Sequence, residues 1–84
     1  MIVLLYFAWV RERIGVAEER LPLPEDVASI AALLDRLATR SPGHAAALAD
    51  RSALRVAVNQ AHVGMDHAVA DGDEVALFPP VTGG

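Results

Sequence analysis

The chain has 84 residues, a mass of 8.9 kDa and a formal net charge of −4, which predicts one domain over residues 1–84 and excludes a second. Hydrophobic residues make up 54% of it and the mean hydropathy is +0.34, which excludes a disordered tail. Its seven arginines form no basic run and it has no cysteine, which excludes nucleic acid as a partner and thiolate chemistry on the chain itself.

The N-terminal apolar run predicts a strand followed by a short helix. Residues 2–7 are continuously apolar, which is typical of a central strand buried on both faces. The run ends near Val10, well short of the roughly 20 residues that span a bilayer, and no basic segment precedes it as in a signal peptide. We therefore expect a cytoplasmic protein without a membrane anchor. Over residues 8–14 the apolar spacing becomes helical, and Gly15 is expected to end that helix.

The middle of the chain predicts an edge strand and one long helix. Residues 18–23 have strand character, and Pro22 places that strand at a sheet edge because proline lacks a backbone donor. Over residues 27–38 apolar side chains recur at steps of three and four, which predicts an amphipathic helix with Asp26 as its N-cap. The segment Ser41-Pro42-Gly43 is expected to end this helix.

The last third predicts mainly strands and turns. In chain order we expect an alanine-rich turn at 44–50, a half-buried strand at 54–58, a brief strand at 61–65, a turn at 71–73, and a last strand at 74–78 that Pro79-Pro80 ends. This order describes an α+β domain with one mixed sheet and one main helix. If the apolar strands 2–7 and 74–78 are both central, they lie side by side and parallel, as in a β-grasp or ubiquitin-like roll.

The body of this domain shows no catalytic constellation. None of the three histidines forms a metal-ligand pair, so we expect no metal site. The acidic residues of 66–74 could suggest calcium, but their spacing fits a turn better than an EF-hand loop. Phosphate-binding glycine motifs and a nucleophile elbow are both absent from the sequence. We expect no bound cofactor.

The end of the chain is the one segment with the shape of a reactive probe. Residues 79–84 begin with two conformationally restricted prolines, and the side chains then become smaller until Gly83 and Gly84, which have none. Four extended residues reach about 13 Å, far enough to place a terminal carboxylate in another protein's active site. Glycine suits a narrow channel because it has no Cβ. Taken alone, however, a Gly-Gly end is more typical of an ordinary frayed terminus than of a reactive one.

The rest of the sequence favours a reactive C-terminus over a frayed one. DGDEVALFPPVTGG resembles the ending of the small-subunit family of molybdopterin synthase, the MoaD-like sulfur carriers. Near the other terminus, Y-F-A-W-V-R-E followed by Gly15 is similar to that family's F-A-x-x-R-E-x-x-G segment, and Val58-Asn59-Gln60 resembles an internal strand end. The resemblance runs from end to end, with the middle helix similar only in pattern. The thiamine sulfur carriers also end in Gly-Gly, but that family is usually shorter and lacks the FPPV stretch.

The resemblance implies a β-grasp protein that donates sulfur without being the catalytic subunit. The carboxylate of Gly84 would be adenylated with ATP by an E1-like adenylyltransferase and converted to a thiocarboxylate with sulfur from a donor protein. Gly83 would fit the partner's channel. The carrier would dock with the large synthase subunit in a heterotetramer and donate sulfur to cyclic pyranopterin monophosphate. Sulfur carriers of other pathways and ubiquitin-like modifiers remain alternatives.

The resemblance also implies which residues meet these partners: Arg11, Phe78, Pro80, Val81 and Thr82. Phe78 has an alternative role as a core aromatic, although alternation along the last strand places it on the face opposite Val75 and Leu77. His62 occupies a position where related chains tend to carry an apolar residue. The extent of the apolar docking surface near His62 is therefore open at this point.

Overall fold

The computed structural model of the chain describes residues 1–80, and in that range it contains five strands, three α-helices and a short 3₁₀ helix. In chain order they are β1 Ile2–Tyr6, α1 Ala8–Ile14, β2 Glu18–Leu21, α2 Ile30–Leu37, α3 Pro42–Leu48, the 3₁₀ helix Arg51–Ala53, β3 Arg55–Val58, β4 Ala61–Val63 and β5 Glu74–Phe78. Within this range no helix has both the length and the apolar character that a membrane crossing needs.

All five strands form one mixed sheet in the order β2-β1-β5-β3-β4. The two apolar end strands are central and parallel, with Val3 opposite Glu74 and Tyr6 opposite Leu77. The remaining pairs, β1 with β2, β3 with β5 and β3 with β4, are antiparallel. This arrangement is the β-grasp roll, so the predicted α+β fold class and the predicted parallel pair are confirmed.

Strand β1 is central as predicted, but its burial on both faces was predicted wrongly. Ile2, Leu4 and Tyr6 are almost completely buried, whereas the alternate residues Val3 and Leu5 are only half-buried. We call the buried side the covered face and the other side the open face. The strand also ends one residue early, because Phe7 forms the N-cap of α1 in an extended conformation. Helix α1 and its end at Gly15, with a φ of 99°, are confirmed.

The main helix begins three residues later than predicted, and Asp26 is not its cap. Ser29 is the N-cap and accepts a hydrogen bond from the amide of Ala32 at 3.2 Å. The segment before the helix stays extended because it pairs with residues 67–69: the amide of Ile30 donates to the carbonyl of His67, and the amide of Val69 to the carbonyl of Ala28. That pairing competes with helix formation at 27–29.

The expected alanine-rich turn at 44–50 is wrong, because this segment is mostly helix α3. Ser41 is its N-cap and accepts from the amide of His44 at 3.1 Å, and Pro42 occupies its first turn, where a missing amide hydrogen costs nothing. The sequence Ser41-Pro42-Gly43 therefore starts a helix as well as following one. Gly43 lies against α1 so closely that a Cβ would stand 2.3 Å from the carbonyl oxygen of Arg13.

The other predicted boundaries shift by only a few residues. Strand β2 lies at the sheet edge as expected, but it ends at Leu21, before Pro22. Strand β3 begins at Arg55, and β4 is shorter than expected, whereas β5 spans the predicted 74–78. The core lies between the covered face and the helices, and its members are mostly aliphatic: Ile2, Leu4, Tyr6, Val10, Val27, Ile30, Leu33, Leu34, Leu37, Ala47, Leu48, Leu54, Val56, Val58, Val69, Val75 and Leu77.

Candidate functional site

The last strand anchors the C-terminal segment at the middle of the sheet. β5 lies between β1 and β3, and its final residue, Phe78, stands opposite Arg55 of β3. Pro79 and Pro80, which follow, are half-buried. The base of the predicted probe is therefore held by hydrogen-bonded strands on both sides. The predicted site residues Val81, Thr82, Gly83 and Gly84, and the mobility expected of them in the free protein, lie outside the described residues.

The acidic segment before β5 is a turn, as predicted, and its carboxylates bind groups of the protein. Gly72 has a φ of 91°, a left-handed value that glycine adopts without strain. Asp73 accepts hydrogen bonds from the side-chain amide of Asn59 and the backbone amide of Ala70. Asp71 pairs with the N-terminal ammonium group, and this hydrogen bond holds the pKa of Asp71 below its ordinary value. Within residues 1–80 no group of three or more candidate ligands could hold a metal ion.

Three aromatic side chains, Phe7, His62 and Phe78, lie on the open face near the end of β5. Phe78 is half-buried, and its ring meets that of His62 edge-on, with centroids 5.3 Å apart and planes at 60°. Phe7 is 48% exposed, its amide donates to the carbonyl of Leu77, and the β1–β5 register continued by one residue places it beside Phe78. We call these three residues the aromatic patch.

The structure decides between the two locations that the sequence left open for Phe78, the core and the surface. Val75 and Leu77 point into the core, and Phe78 is absent from that cluster, so it lies on the opposite face, as alternation predicts. Sequence reasoning missed Phe7 as a surface residue because it was assigned to the buried strand. Its position directly before the first helix, at the end of an alternating strand, was the signal that could have identified it.

The candidate residue Arg11 lies one helical turn after Phe7. It is exposed on α1, and its backbone amide is hydrogen-bonded to the carbonyl of Phe7 at 3.4 Å. Arg55, opposite Phe78 in the sheet, is exposed as well. The Arg55 guanidinium donates to the carbonyls of Ser52 and Leu54, and Pro80 lies two residues after Phe78. In the described residues Arg11, Phe78 and Pro80 all lie toward the end of the sheet where β1 and β5 finish, and their role at a partner interface stays a prediction.

A buried polar network on the covered face was not predicted at all. Nε2 of His44 lies 2.6 Å from Oε1 of Glu19, the hydroxyl of Tyr6 donates to the same oxygen at 2.9 Å, and Nδ1 of His44 lies 2.7 Å from Oγ of Ser41. Four residues from β1, β2 and α3 are joined in this way. The network connects the edge strand to a helix inside the fold and is directed away from the open face.

The network shifts the ionisation of two of its members. Burial raises the pKa of Tyr6 above its ordinary value, and its hydrogen bond to Glu19 raises it further. Burial also disfavours the charged form of Glu19, but hydrogen bonds from His44 and Tyr6 outweigh it, and the pKa of Glu19 is lowered. Because every polar atom of the network is engaged, we assign it to holding the fold together.

The fold is that of a β-grasp protein. Its chain leaves the last strand at Pro79 and Pro80, next to the aromatic patch. Residues 4–84 match the ThiS family, so the chain belongs to this family. It is 46% identical over 84 residues to the molybdopterin synthase sulfur carrier subunit of Escherichia coli K12, and the match covers both chains completely.

Solved structures give the same family likeness. The molybdopterin converting factor subunit 1 of Pyrococcus furiosus is 33% identical, with a TM-score of 0.78 over 95% of this chain and 97% of the other. SAMP1 of Haloferax volcanii is 30% identical, with a TM-score of 0.73 over 99% and 98%. Subunit 1 in a two-subunit molybdopterin-converting factor complex from Helicobacter pylori, 19% identical with a TM-score of 0.65 over 99% and 97%, shares the fold.

Proposed function

We propose that this chain is the sulfur carrier subunit of a molybdopterin synthase. The observation that supports this most directly is the end-to-end similarity to sulfur carrier subunits, which extends through the Gly-Gly end. The first residues also agree, because the segment from Phe7 to Gly15 turns out to be the strand end, helix α1 and its glycine cap. Phe7 and Phe78, which belong to the two matching segments, thus lie at the same end of the sheet.

The proposed chemistry takes place at the carboxylate of Gly84. In the first step a carboxylate oxygen attacks the α-phosphorus of ATP, and pyrophosphate leaves to give an acyl adenylate. In the second step sulfur at the oxidation level of sulfide attacks the acyl carbon, AMP leaves, and a thiocarboxylate remains. The thiocarboxylate sulfur is then the nucleophile toward cyclic pyranopterin monophosphate, which gives a thioester between the carrier and the pterin side chain. Water hydrolyses this thioester, so the sulfur stays on the pterin and the Gly84 carboxylate is regenerated; two such rounds supply the two sulfur atoms of the dithiolene.

This division of labour agrees with what the chain contains. It has no cysteine, so it offers no thiol to compete for the activated acyl group. The bases and phosphate ligands of both steps belong to an E1-like adenylyltransferase and to the large synthase subunit. ATP is a substrate of the activating enzyme, and no cofactor is assigned to this chain. The carrier supplies the reacting terminus and a surface that positions it.

The aromatic patch is the surface we assign to docking with the large subunit. Phe7, Phe78 and His62 are apolar or amphipathic groups near the end of β5. The exposed Arg11 is one helical turn after Phe7, and the exposed Arg55 is opposite Phe78 in the sheet. Buried aromatic anchors with polar groups around them are typical of binding hot spots. Four extended residues beyond Pro80 reach about 13 Å, so a partner seated on the patch can enclose Gly84 in its active site.

Two alternatives use the same terminus. The similarity to SAMP1, with 30% identity over nearly the whole chain, favours a ubiquitin-like modifier as the second candidate. In that function the activated Gly84 would be joined to a protein lysine instead of receiving sulfur. A sulfur carrier for thiamine synthesis is the third, and it would pass sulfur to thiazole synthase. The three candidate functions differ only in which molecule receives the acyl or sulfur group. Identifying that acceptor therefore distinguishes them.

The test combines intact mass spectrometry with a single-turnover assay. The full chain is incubated with the activating enzyme, ATP and a sulfide source, and formation of the thiocarboxylate adds about 16 Da. The thiocarboxylated carrier is then mixed with the large synthase subunit and cyclic pyranopterin monophosphate. We expect conversion with this acceptor and none with thiazole synthase. Deletion of Gly84, or one added residue after it, should abolish transfer, because the reacting atom moves by about 3.5 Å.

Two matched controls separate the terminus from the fold. Gly83→Ala should lose most activity through a Cβ clash in the partner's channel, whereas Gly64→Ala, where a Cβ would approach only a side-chain oxygen of Asp66 at 3.1 Å, should keep it. His67→Ala should also form the thiocarboxylate normally. A chain extended beyond Gly84, shown by its mass to be unprocessed, that still transferred sulfur at the normal rate would refute the mechanism.

A further inference from the structure

A cleft of about 260 Å³ lies between the edge strand β2 and helix α2. Its apolar lining comes from β1, β2, the segment after β2, and α2: Ile2, Leu21, Pro22, Pro24, Leu33 and Leu37. Ile2 is at the opposite end of β1 from Phe7, and β1 separates β2 from β5. The cleft is therefore a different surface from the aromatic patch and from the base of the tail.

The strand beside the cleft has an unpaired edge. The amide of Tyr6 donates to the carbonyl of Ala17 at 2.9 Å, so in this antiparallel pair the alternate residues Glu19 and Leu21 also bond to β1. The amide and carbonyl groups of Glu18 and Arg20 then point outward, and within residues 1–80 no backbone group pairs with them. An edge of this kind is a template for an additional strand.

Two arginines are the only charged side chains that line the cleft among the described residues. Arg36 lies in the last turn of α2 and Arg40 three residues beyond its end, and both side chains are about half exposed. Arg36 bonds to the exposed Asp26 at 2.6 Å, and Arg40 lies 3.4 Å from Glu19. The exposed pair of Arg36 with Asp26 contributes little, so an incoming carboxylate can replace it. Arg40, whose partner Glu19 is mostly buried, can share its exposed side with such a group.

We propose that this cleft binds an extended segment of a partner protein that combines aliphatic and acidic residues. The segment adds a strand to β2 through the backbone of Glu18 and Arg20. One of its aliphatic side chains enters the cleft, and a neighbouring carboxylate bonds to Arg36 or Arg40. This is the strand-addition mode of peptide recognition, in which main-chain bonds give affinity and pockets for alternate side chains give specificity.

Two other occupants fit the observations less well. A small aliphatic acid would fill the cleft and meet the arginines, but it would leave the adjacent strand edge unused. A second copy of this chain could pair its own β2 with the edge, but the aliphatic residue of that strand, Leu21, lines its own cleft and is not free to enter another. An acidic and aliphatic peptide uses all three features, which are the edge, the apolar volume and the two cations. The inference does not depend on the proposed sulfur transfer.

The probe is a synthetic eight-residue peptide of alternating valine and aspartate, blocked at both ends and titrated into the ¹⁵N-labelled full chain. We expect amide shifts concentrated at residues 18–21 and 36–40, with affinity measured by calorimetry. A peptide with lysine in place of aspartate should bind at least about 10-fold more weakly, because each charge-assisted bond becomes a repulsion. N-methylation of the central valine should weaken binding as well, because it removes a backbone donor.

A pair of charge reversals tests the arginines. Arg40→Glu should weaken binding of the valine–aspartate peptide about 10-fold or more, with Arg40→Gln intermediate. Arg55→Glu makes the same change of charge on β3, away from the cleft, and should leave affinity within about 2-fold. Thermal melting of each variant confirms that it is folded. Transfer of sulfur by Arg40→Glu should be normal, so a failure here is distinguishable from a failure of the proposed function.

Three results would overturn the proposal. The first is a lack of shifts, or shifts centred on the aromatic patch, at millimolar peptide. The second is binding of octanoate in the cleft under conditions where the peptide does not bind. The third is a concentration-dependent dimer of the free chain whose shifts map to β2, because the edge would then be occupied by a second copy.

Discussion

The two faces of the sheet are built from alternate residues of the same strands, yet they have different neighbours. On the covered face Leu4, Tyr6 and Leu77 are enclosed by helices, and the polar groups there bond to one another. On the open face Leu5 and Phe78 are half-buried, and Phe7 is largely exposed. The difference indicates that the covered face determines stability, whereas the open face is the one to which the proposed function assigns docking. Neighbouring residues of one strand therefore provide matched pairs that can test this separation.

The largest effect is expected from Leu4→Ala compared with Leu5→Ala. Leu4 is fully buried, so its truncation should cost about 2–5 kcal/mol of unfolding free energy, a large part of the roughly 5–15 kcal/mol available to such a domain. Leu5 is half-buried on the open face, and its truncation should cost about 1 kcal/mol. Urea denaturation measures both. Equal losses would show that the two faces do not differ in the way described.

A close approach between helices gives the next effect. In Gly43→Ala a Cβ would stand 2.3 Å from the carbonyl oxygen of Arg13, and α1 and α3 must separate to admit it. We expect a loss of about 1–3 kcal/mol. Gly64→Ala is the control, because the nearest atom there is a side-chain oxygen of Asp66 at 3.1 Å that can move. Comparable losses in the two variants would remove the packing explanation.

On the open face the expected change is in binding. Phe78→Ser should weaken association with the large synthase subunit by about 30-fold, which corresponds to about 2 kcal/mol for an aromatic hot spot. Its thermal midpoint should fall far less than that of Leu4→Ala, because Phe78 does not belong to the core cluster. Calorimetry and thermal melting measure the two quantities. A variant that melted like Leu4→Ala but bound normally would assign Phe78 to the fold.

The smallest effects concern pH and the buried network. The pKa of Glu19 is lowered in the folded state, so its contribution is present above the ordinary glutamate pKa of about 4.3 and is lost as pH falls through the lowered value. Glu19→Gln should flatten the acid limb of the stability profile. Glu18→Gln, at the exposed neighbouring position, should leave that limb unchanged.

The part of the alkaline limb at and above about pH 10 should report on Tyr6. The pKa of Tyr6 is raised, so its contribution is complete below about pH 10 and is lost as pH rises toward the folded value. The chain has one tyrosine, no cysteine and no lysine, so no other side chain titrates near pH 10. Tyr6→Phe should therefore abolish the alkaline loss of stability. An unchanged limb in this variant would exclude the phenol as its source.

The parts that could be predicted from sequence are those whose signal is local. The apolar runs of β1 and β5, Gly15 after α1 and the turn at Gly72 each depend on adjacent residues, and all were found. The start of α2 could not be predicted, because residues 28–30 pair with residues 67–69 at long range. Helix α3 was missed because Pro42 was taken as a stop, whereas proline also fits a first helical turn.

The candidate site also has a part that could be predicted from the sequence and a part that could not. Arg11, Phe78 and Pro80 could be named from segments that resemble a family, and the structure places them at one end of the sheet. The Tyr6–Glu19–His44 network could not be named, because its members are 13 and 25 residues apart and no local pattern joins them. The roles of residues 81–84 stay predictions that the transfer experiments test. The assignment of residues 1–84 to a single domain also stays a prediction.

The central position of β5 also has a consequence for biosynthesis. Without this strand the sheet separates into two hairpin-like pairs, β1 with β2 and β3 with β4, and two-stranded pairs are marginally stable in water. Residues 74–78 follow the other four strands in the chain, so during synthesis the sheet can close only after all of those strands have been made. A chain interrupted before β5 therefore keeps two unconnected pairs of strands and remains open to proteases. Closure of the sheet is thus a late event that needs all five strands.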